Sequence, residues 1–274
     1  MIRRLYPNGK KKAFNITYDD GVVQDIRFVA MLDRYGLKGT FNLNSQLMYD
    51  RFEWVHPSGL VIKRIAPESV VDLYKNHEVA SHTLTHPYMH DLSENEILHQ
   101  IGKDKYNLEQ LFGRKIEGFA VPFSYYSDLI ASCAEKCGFE YARCSEERYC
   151  FAPPENYYWW AAGTYHVNEK FKEFAESFFD NDEELSLLQI VGHSYDLETE
   201  NMWDYMEQFL GRIAADNDVT SLTNAELVRY LKAIRNADIT DHCIINNSDL
   251  TLWFEIDGRT ISVEPHTYFE LNSL

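Results

Sequence analysis

The sequence predicts an α/β protein: a distorted (β/α)7–8 barrel followed by a small β unit. Three observations carry that expectation. Short apolar runs alternate with helix-spaced patterns through the first 235 or so residues, as in a parallel sheet under covering helices. Acidic residues and histidines fall just after the apolar runs, where barrels of this kind gather reactive side chains. Beyond about Asp241 the pattern changes to alternation around Asp257-Gly258, a hairpin signal. The alternative is an open doubly wound sheet. Its glycines never assemble into GxGxxG or GxxxxGK[ST], so nothing marks a nucleotide binder.

The elements follow in order. Ala13 to Tyr18 reads as the first strand. Val22, Ile26, Val29 and Ala30 recur at helical spacing up to Tyr35, and Gly36 stops that helix. Thr40 to Leu43 is a strand. Pro67 opens a short helix to Tyr74, and Glu78 to Ser81 is the third strand. Ser93 and Glu96 form a capping box before Ile97, Ile101, Leu108 and Leu111. Gly118 to Val121 is a strand, Asp128 to Lys136 a helix stopped by Gly138, and Phe139 to Arg143 a strand. Tyr157 to Ala162 is an aromatic strand, and Asn168 to Phe179 is helical. Leu185 to Val191 is apolar apart from one Gln, as a strand buried on both faces should be. Helix Met202–Ala215, strand Val219–Leu222 and helix Asn224–Arg235 close the repeat. Residues 1–238 are then one barrel. Residues 239–274 are a β appendage too small to bury a core alone, so it should pack on the barrel.

Composition excludes several classes. The 274 residues are 45% hydrophobic and 14% aromatic, enough for a sizeable core. A formal net charge of -17 disfavours nucleic acid and anionic membrane surfaces. No run approaches the ~20 apolar residues of a membrane span. The basic start, Met1-Ile2-Arg3-Arg4, lacks the apolar stretch of a signal peptide. Five cysteines without a CxxC pair suit free thiols in a reducing compartment. A soluble cytoplasmic protein is expected, and nothing sets an oligomeric state.

The chemistry lies at four strand ends. Asp19-Asp20-Gly21 follows the first strand, His82 and His86 the third, Pro122-Phe123 the fourth, and His193 the run ending at Val191. Paired carboxylates beside a metal can divide labour, one binding the cation and the other taking a proton. Two histidines four apart reach one ion if the chain makes a helical turn after the strand. Asp plus two His leaves an open coordination position. Each feature has an ordinary reading too: Asp-Asp-Gly as a turn, His86 with His90 as an accidental repeat of the spacing, His193 as a structural hydrogen-bonder. Their meeting at one rim favours the site.

Thr17-Tyr18-Asp19-Asp20-Gly21 and Ser81-His82-Thr83-Leu84-Thr85-His86-Pro87 resemble the polysaccharide deacetylase family, carbohydrate esterase family 4, whose signatures are T-F-D-D-G and H-[ST]-x-x-H. The likeness extends through Phe119-Ala120-Val121-Pro122-Phe123 and Val191-Gly192-His193-Ser194, covering roughly residues 13 to 235. It implies a distorted barrel that hydrolyses N-acetyl groups on a carbohydrate. Asp20, His82 and His86 would hold one divalent metal, with zinc the first expectation and cobalt, nickel or manganese open. Asp19 would be the general base and His193 the general acid. The backbone N–H of Phe123 would face the oxyanion, and Trp160 would lie at an aromatic wall of the substrate site.

This sequence departs from the family pattern where an arginine commonly precedes the proline of the third motif. Ala120 and Val121 stand there, which leaves the control of Asp19 unassigned. Tyr165 and His166 are further candidates for the pocket. Two other functions stay open: hydrolysis of a non-sugar, cyclic amide, or another small N-acyl substrate, at the same site, and a carbohydrate-binding relative with weak catalysis.

Overall fold

The computed structural model describes residues 2–273. Met1 and Leu274, which begin and end the two expected domains, lie outside the described residues. Nine strands form the main sheet, and the pairings within it are parallel. Their order is Thr164–Tyr165, Ser186–Gly192, Lys12–Asp19, Thr40–Leu43, Glu78–Ser81, Gly118–Ala120, Tyr141–Glu147, Trp160–Ala162. Val219–Ser221 pairs with Lys12 to Phe14, while Thr40–Leu43 pairs from Thr17 to Asp19 of the same strand.

The two end strands of that path, Trp160–Ala162 and Thr164–Tyr165, are separated in sequence by Gly163 alone. The sheet therefore curls until its edges nearly meet, which gives the barrel that the βα repetition predicts. A side chain at Gly163 would come 2.6 Å from the Gln189 carbonyl oxygen, so the seam requires glycine.

Lys12–Asp19 and Ser186–Gly192 are buried along their whole lengths, as strands covered on both faces must be. Helices Asp25–Arg34, Glu94–Phe112, Asp128–Lys136, Trp203–Ala215 and Asn224–Arg235 alternate with the strands. Glu94–Phe112 starts at the expected Ser93–Glu96 capping box and stops at Gly113 with φ 63°. Several expected elements are shorter than predicted, most of all Trp160–Ala162 for the aromatic strand and Phe171–Ser177 for the helix before Ser186. In these two cases the flanking residues are held in turns instead.

Several β features have no counterpart in the sequence reading. Ile2–Leu5 pairs antiparallel with Leu252–Ile256, which continues through Asp257-Gly258 into Arg259–Val263. A short hairpin, Glu53–Val55 with Val61–Lys63, projects between the second and third barrel strands. A second sheet of the C-terminal region joins Asp238–Ile239, Cys243–Ile245 and Tyr268–Glu270. No helix among the described residues is long and apolar enough to cross a membrane.

Candidate active site

Asp19 is the last residue of its strand, and Asp20 and Gly21 turn the chain off the sheet. Asp20 has φ 85° and Gly21 φ 62°. A left-handed backbone costs a non-glycine residue roughly 1–3 kcal/mol and persists only where the surroundings enforce it. The same strain recurs at Thr83 (φ 69°), His86 (φ 56°), Phe123 (φ 57°) and Ser124 (φ 60°), so four further strained residues border this one site.

His82 directly follows Glu78–Ser81. The expectation that a helical turn carries His82 and His86 is corrected by the structure. Thr83 and His86 reverse the chain through left-handed conformations, and His86 N–H donates to Thr83 Oγ1 at 3.0 Å. The imidazoles end 4.8 Å apart, centroid to centroid. Ligand atoms of Asp20, His82 and His86 all lie within 4.8 Å of one another.

The donor set fits a divalent cation. His82 Nδ1 donates to the Ala120 carbonyl at 2.8 Å, which leaves its Nε2 lone pair free. Burial pushes His82 down to about 4 and also lowers His86, so both imidazoles are neutral, as ligation demands. Burial alone would raise Asp20, but Arg64, then His193, His86 and His82, hold it well below the carboxylate range. Asp20 Oδ1 is buried without a hydrogen bond. Arg64 Nη1 is 2.9 Å from it, yet Nη1 donates to the Asp20 carbonyl oxygen instead.

Asp19 differs from Asp20 in that its Oδ1 is hydrogen-bonded. That oxygen accepts from Asn42 Nδ2 at 2.8 Å and from the wholly buried Arg143. Burial pushes the carboxyl up, but Arg143, with His82 and His193, brings it below its ordinary value. Arg143 is on the Tyr141–Glu147 strand, in register with Ala120 of the neighbouring strand. The guanidinium missing from the third motif is thus supplied one strand over, at the same level.

His193 follows Ser186–Gly192, with Nε2 3.8 Å from Asp20 Oδ2. Its Nδ1 is 3.0 Å from Asp196 Oδ2, which also accepts from Tyr165 OH at 2.6 Å. Burial disfavours the imidazolium, but the Asp196 hydrogen bond and the charges of Asp20, Asp196 and Asp19 lift His193 to about 9. Gly192 permits the approach, since a Cβ there would strike His166 Nδ1 at 2.1 Å.

Asp19, Asp20, His82, His86, Phe123, Tyr165 and His193 line one cavity of about 300 Å³. Phe123 sits at its rim, edge-on to His86 at 4.5 Å and stacked on Tyr88 at 3.9 Å. Trp160 does not reach the cavity: it is 2% exposed and packs edge-on to Tyr141 at 5.6 Å, in a buried cluster with residues of the last helix and the C-terminal strands. His166 is fully buried against Tyr18. Arg143, Arg64 and Asp196 escaped the sequence reading. Asp196, three residues after His193, and Arg143, a charge closing an apolar strand, were the available signals.

The fold and this cavity define a (β/α) barrel with its polar groups gathered at the C-terminal strand ends. Within that class the chain belongs to the polysaccharide deacetylase family, whose model matches residues 6–142, half of the chain. Solved structures agree on the fold. A Mycobacterium smegmatis protein named as a candidate polysaccharide deacetylase is 15% identical, with a TM-score of 0.64 over 87% of this chain and 96% of its own. A mutant of a Bacillus anthracis family 4 pseudoenzyme, with restored activity, is 19% identical, with a TM-score of 0.54 over 82% and 70%. A Clostridium thermocellum family 4 acetyl xylan esterase, solved with a cobalt ion, is 16% identical, with a TM-score of 0.52 over 78% and 89%. No curated protein matches the sequence.

Proposed function

We propose that this chain hydrolyses N-acetyl groups on a carbohydrate. Asp19 acts as general base and His193 as general acid, while Asp20, His82 and His86 hold a divalent cation, zinc first. The observation that supports this reading most is the convergence of these five side chains on one cavity, with ligand atoms of Asp20, His82 and His86 within 4.8 Å of one another. Asp19 is held anionic, His193 protonated, and His82 and His86 neutral. Those are the states that a base, an acid and two ligands require.

When bound, the cation would supply Lewis acidity toward the attacking water and the acyl oxygen. Asp19 takes the proton of that water, with Arg143 and Asn42 fixing its carboxylate. His193 delivers a proton from Nε2 to the leaving nitrogen, since Asp196 and Tyr165 occupy the Nδ1 side. The N–H of Phe123, on its left-handed turn, is the proposed donor to the oxyanion.

The test is acetate release from a panel of N-acetylated sugars by purified protein of known metal content. Asp19→Asn should keep the metal and lose turnover. His193→Ala should cost roughly 10²–10⁴ in rate. A protein that holds metal yet frees no acetate from any N-acetyl sugar would refute the reading, as would full activity in Asp19→Asn. Ring-opened acid from a cyclic amide would then move the substrate to that class.

A further inference from the structure

The hairpin Glu53–Val55 with Val61–Lys63 grips the loop that carries Asp19, Asp20 and Gly21. Val23 N–H donates to the Lys63 carbonyl and Ile65 N–H to the Gly21 carbonyl, each at 2.9 Å. Val22 and Arg64 form a β-bridge between these bonds. From that bridge the Arg64 side chain, 4% exposed, runs to Asp20. Its Nη1 donates to the Asp20 carbonyl oxygen and lies 2.9 Å from Oδ1 of the same residue. Trp54 covers the guanidinium, with its ring 5.2 Å from Cζ. Trp54 meets Tyr195 edge-on at 5.7 Å, and Tyr195 stacks on His193 at 4.7 Å.

We propose that Arg64 is the positioning residue for Asp20, holding that residue's left-handed backbone and thereby the direction of its carboxylate. The inference rests on the reading of Asp20 as a metal ligand. A buried carbonyl needs a partner, and Arg64 provides one for the strained residue. Without it, Asp20 is free to relax toward the extended region that an L-residue prefers. Its carboxylate then swings away from His82 and His86.

Electrostatics alone argue for the opposite effect. A fixed cation beside a ligand repels a divalent ion and competes for the same carboxylate. If charge were Arg64's whole contribution, its removal would tighten metal binding. The sign of the change therefore separates the two roles. Lysine sharpens the distinction, because its ammonium keeps the charge but ends one bond short of Nη1.

The experiment is a titration of the metal-free full chain with Co²⁺, read by d–d absorption, and with Zn²⁺ in competition with a chromophoric chelator. Circular dichroism checks the fold of each variant. Wild type should bind one ion, and His82→Ala should not. Wild type binding no better than His82→Ala overturns the metal reading, and this proposal with it. Given a wild-type site, Arg64→Gln and Arg64→Lys should each raise Kd by about 10–100-fold, the usual effect of removing a group that orients a ligand. Equal or tighter binding in Arg64→Gln overturns the proposal. Should Arg64→Gln fail to fold, Arg64→Lys decides: weaker binding supports positioning, and unchanged binding overturns it.

Discussion

Asp19 keeps its charge inside the protein because Arg143 lies against it. A search for the missing arginine along the motif's own strand finds Ala120 and Val121. In a parallel sheet, however, the neighbour at a given level belongs to another strand, and Ala120 pairs with Arg143. Register is not written in a linear motif, so the substitution is invisible there. The five polar residues that follow apolar runs (Asp19, Asp20, His82, His86, His193) were legible because strand ends fix where they emerge. Trp160 was misplaced for the converse reason: an aromatic residue near a strand end does not announce which face it takes. Arg143→Met should leave a buried carboxylate with Asn42 as its remaining side-chain hydrogen-bond donor. Breaking a buried ion pair in this way costs about 3–5 kcal/mol of stability, measurable by urea unfolding. Burial then pushes Asp19 up, so the acid limb of the kcat/KM profile moves to higher pH, since the base must be ionised. Arg143→Lys should recover part of both changes. An acid limb unmoved in Arg143→Met would remove Arg143 from the control of Asp19.

Elements reach the site through buried polar contacts that join helix to strand. Helix Glu94–Phe112 shows this at Asp104, which is buried and accepts from Ser81 Oγ at 2.6 Å and from Ser45 N–H at 2.7 Å. Asp104 thus ties the long helix to the strand end that launches His82. The helix itself was legible from its capping box and apolar spacing. Asp104 was not, because a carboxylate on an amphipathic helix reads as solvent-facing until its neighbours are known. The Glu53–Val55 hairpin escaped for a similar reason: strands of three residues leave too little alternation to read. Burial raises Asp104 to about 7 against an ordinary 3.8, despite the hydrogen bonds from Ser81 and Ser45. A carboxyl raised on folding favours the folded state while protonated. Its contribution is whole below about pH 4 and is lost as pH climbs through about 7. Asp104→Asn removes that dependence. The Tm difference between wild type and variant should therefore shift in the variant's favour between pH 5 and 8. A difference that stays flat over that range would mean Asp104 is ionised throughout.

At the scale of the whole molecule, the two ends of the chain share one sheet. Ile2–Leu5 pairs with Leu252–Ile256 across about 250 residues, a contact that no local pattern foretells. The C-terminal alternation itself was legible, but its partner strand was not. The β unit also completes a second core, in which Leu227, Val228, Leu231 and Ile234 of the last helix meet Ile244, Leu252, Phe254, Ile256 and Val263. The five C-terminal side chains contribute on the order of 10 kcal/mol at about 1.5–3 kcal/mol each, an upper figure given a partly compact unfolded chain. Domains of this kind are stable by only about 5–15 kcal/mol. A chain ending at residue 238 would lose that contribution, uncover the outer face of the last helix and leave Ile2–Leu5 as an unpaired strand. It should express as aggregate or unfold well below the wild-type Tm, although every residue of the proposed site is present. Phe254→Ala in the full chain is the milder version: it should cost about 3–5 kcal/mol while leaving metal affinity unchanged. A truncated chain that runs as a monomer on size exclusion with the wild-type Tm would show instead that the barrel stands alone and the β unit is dispensable to it.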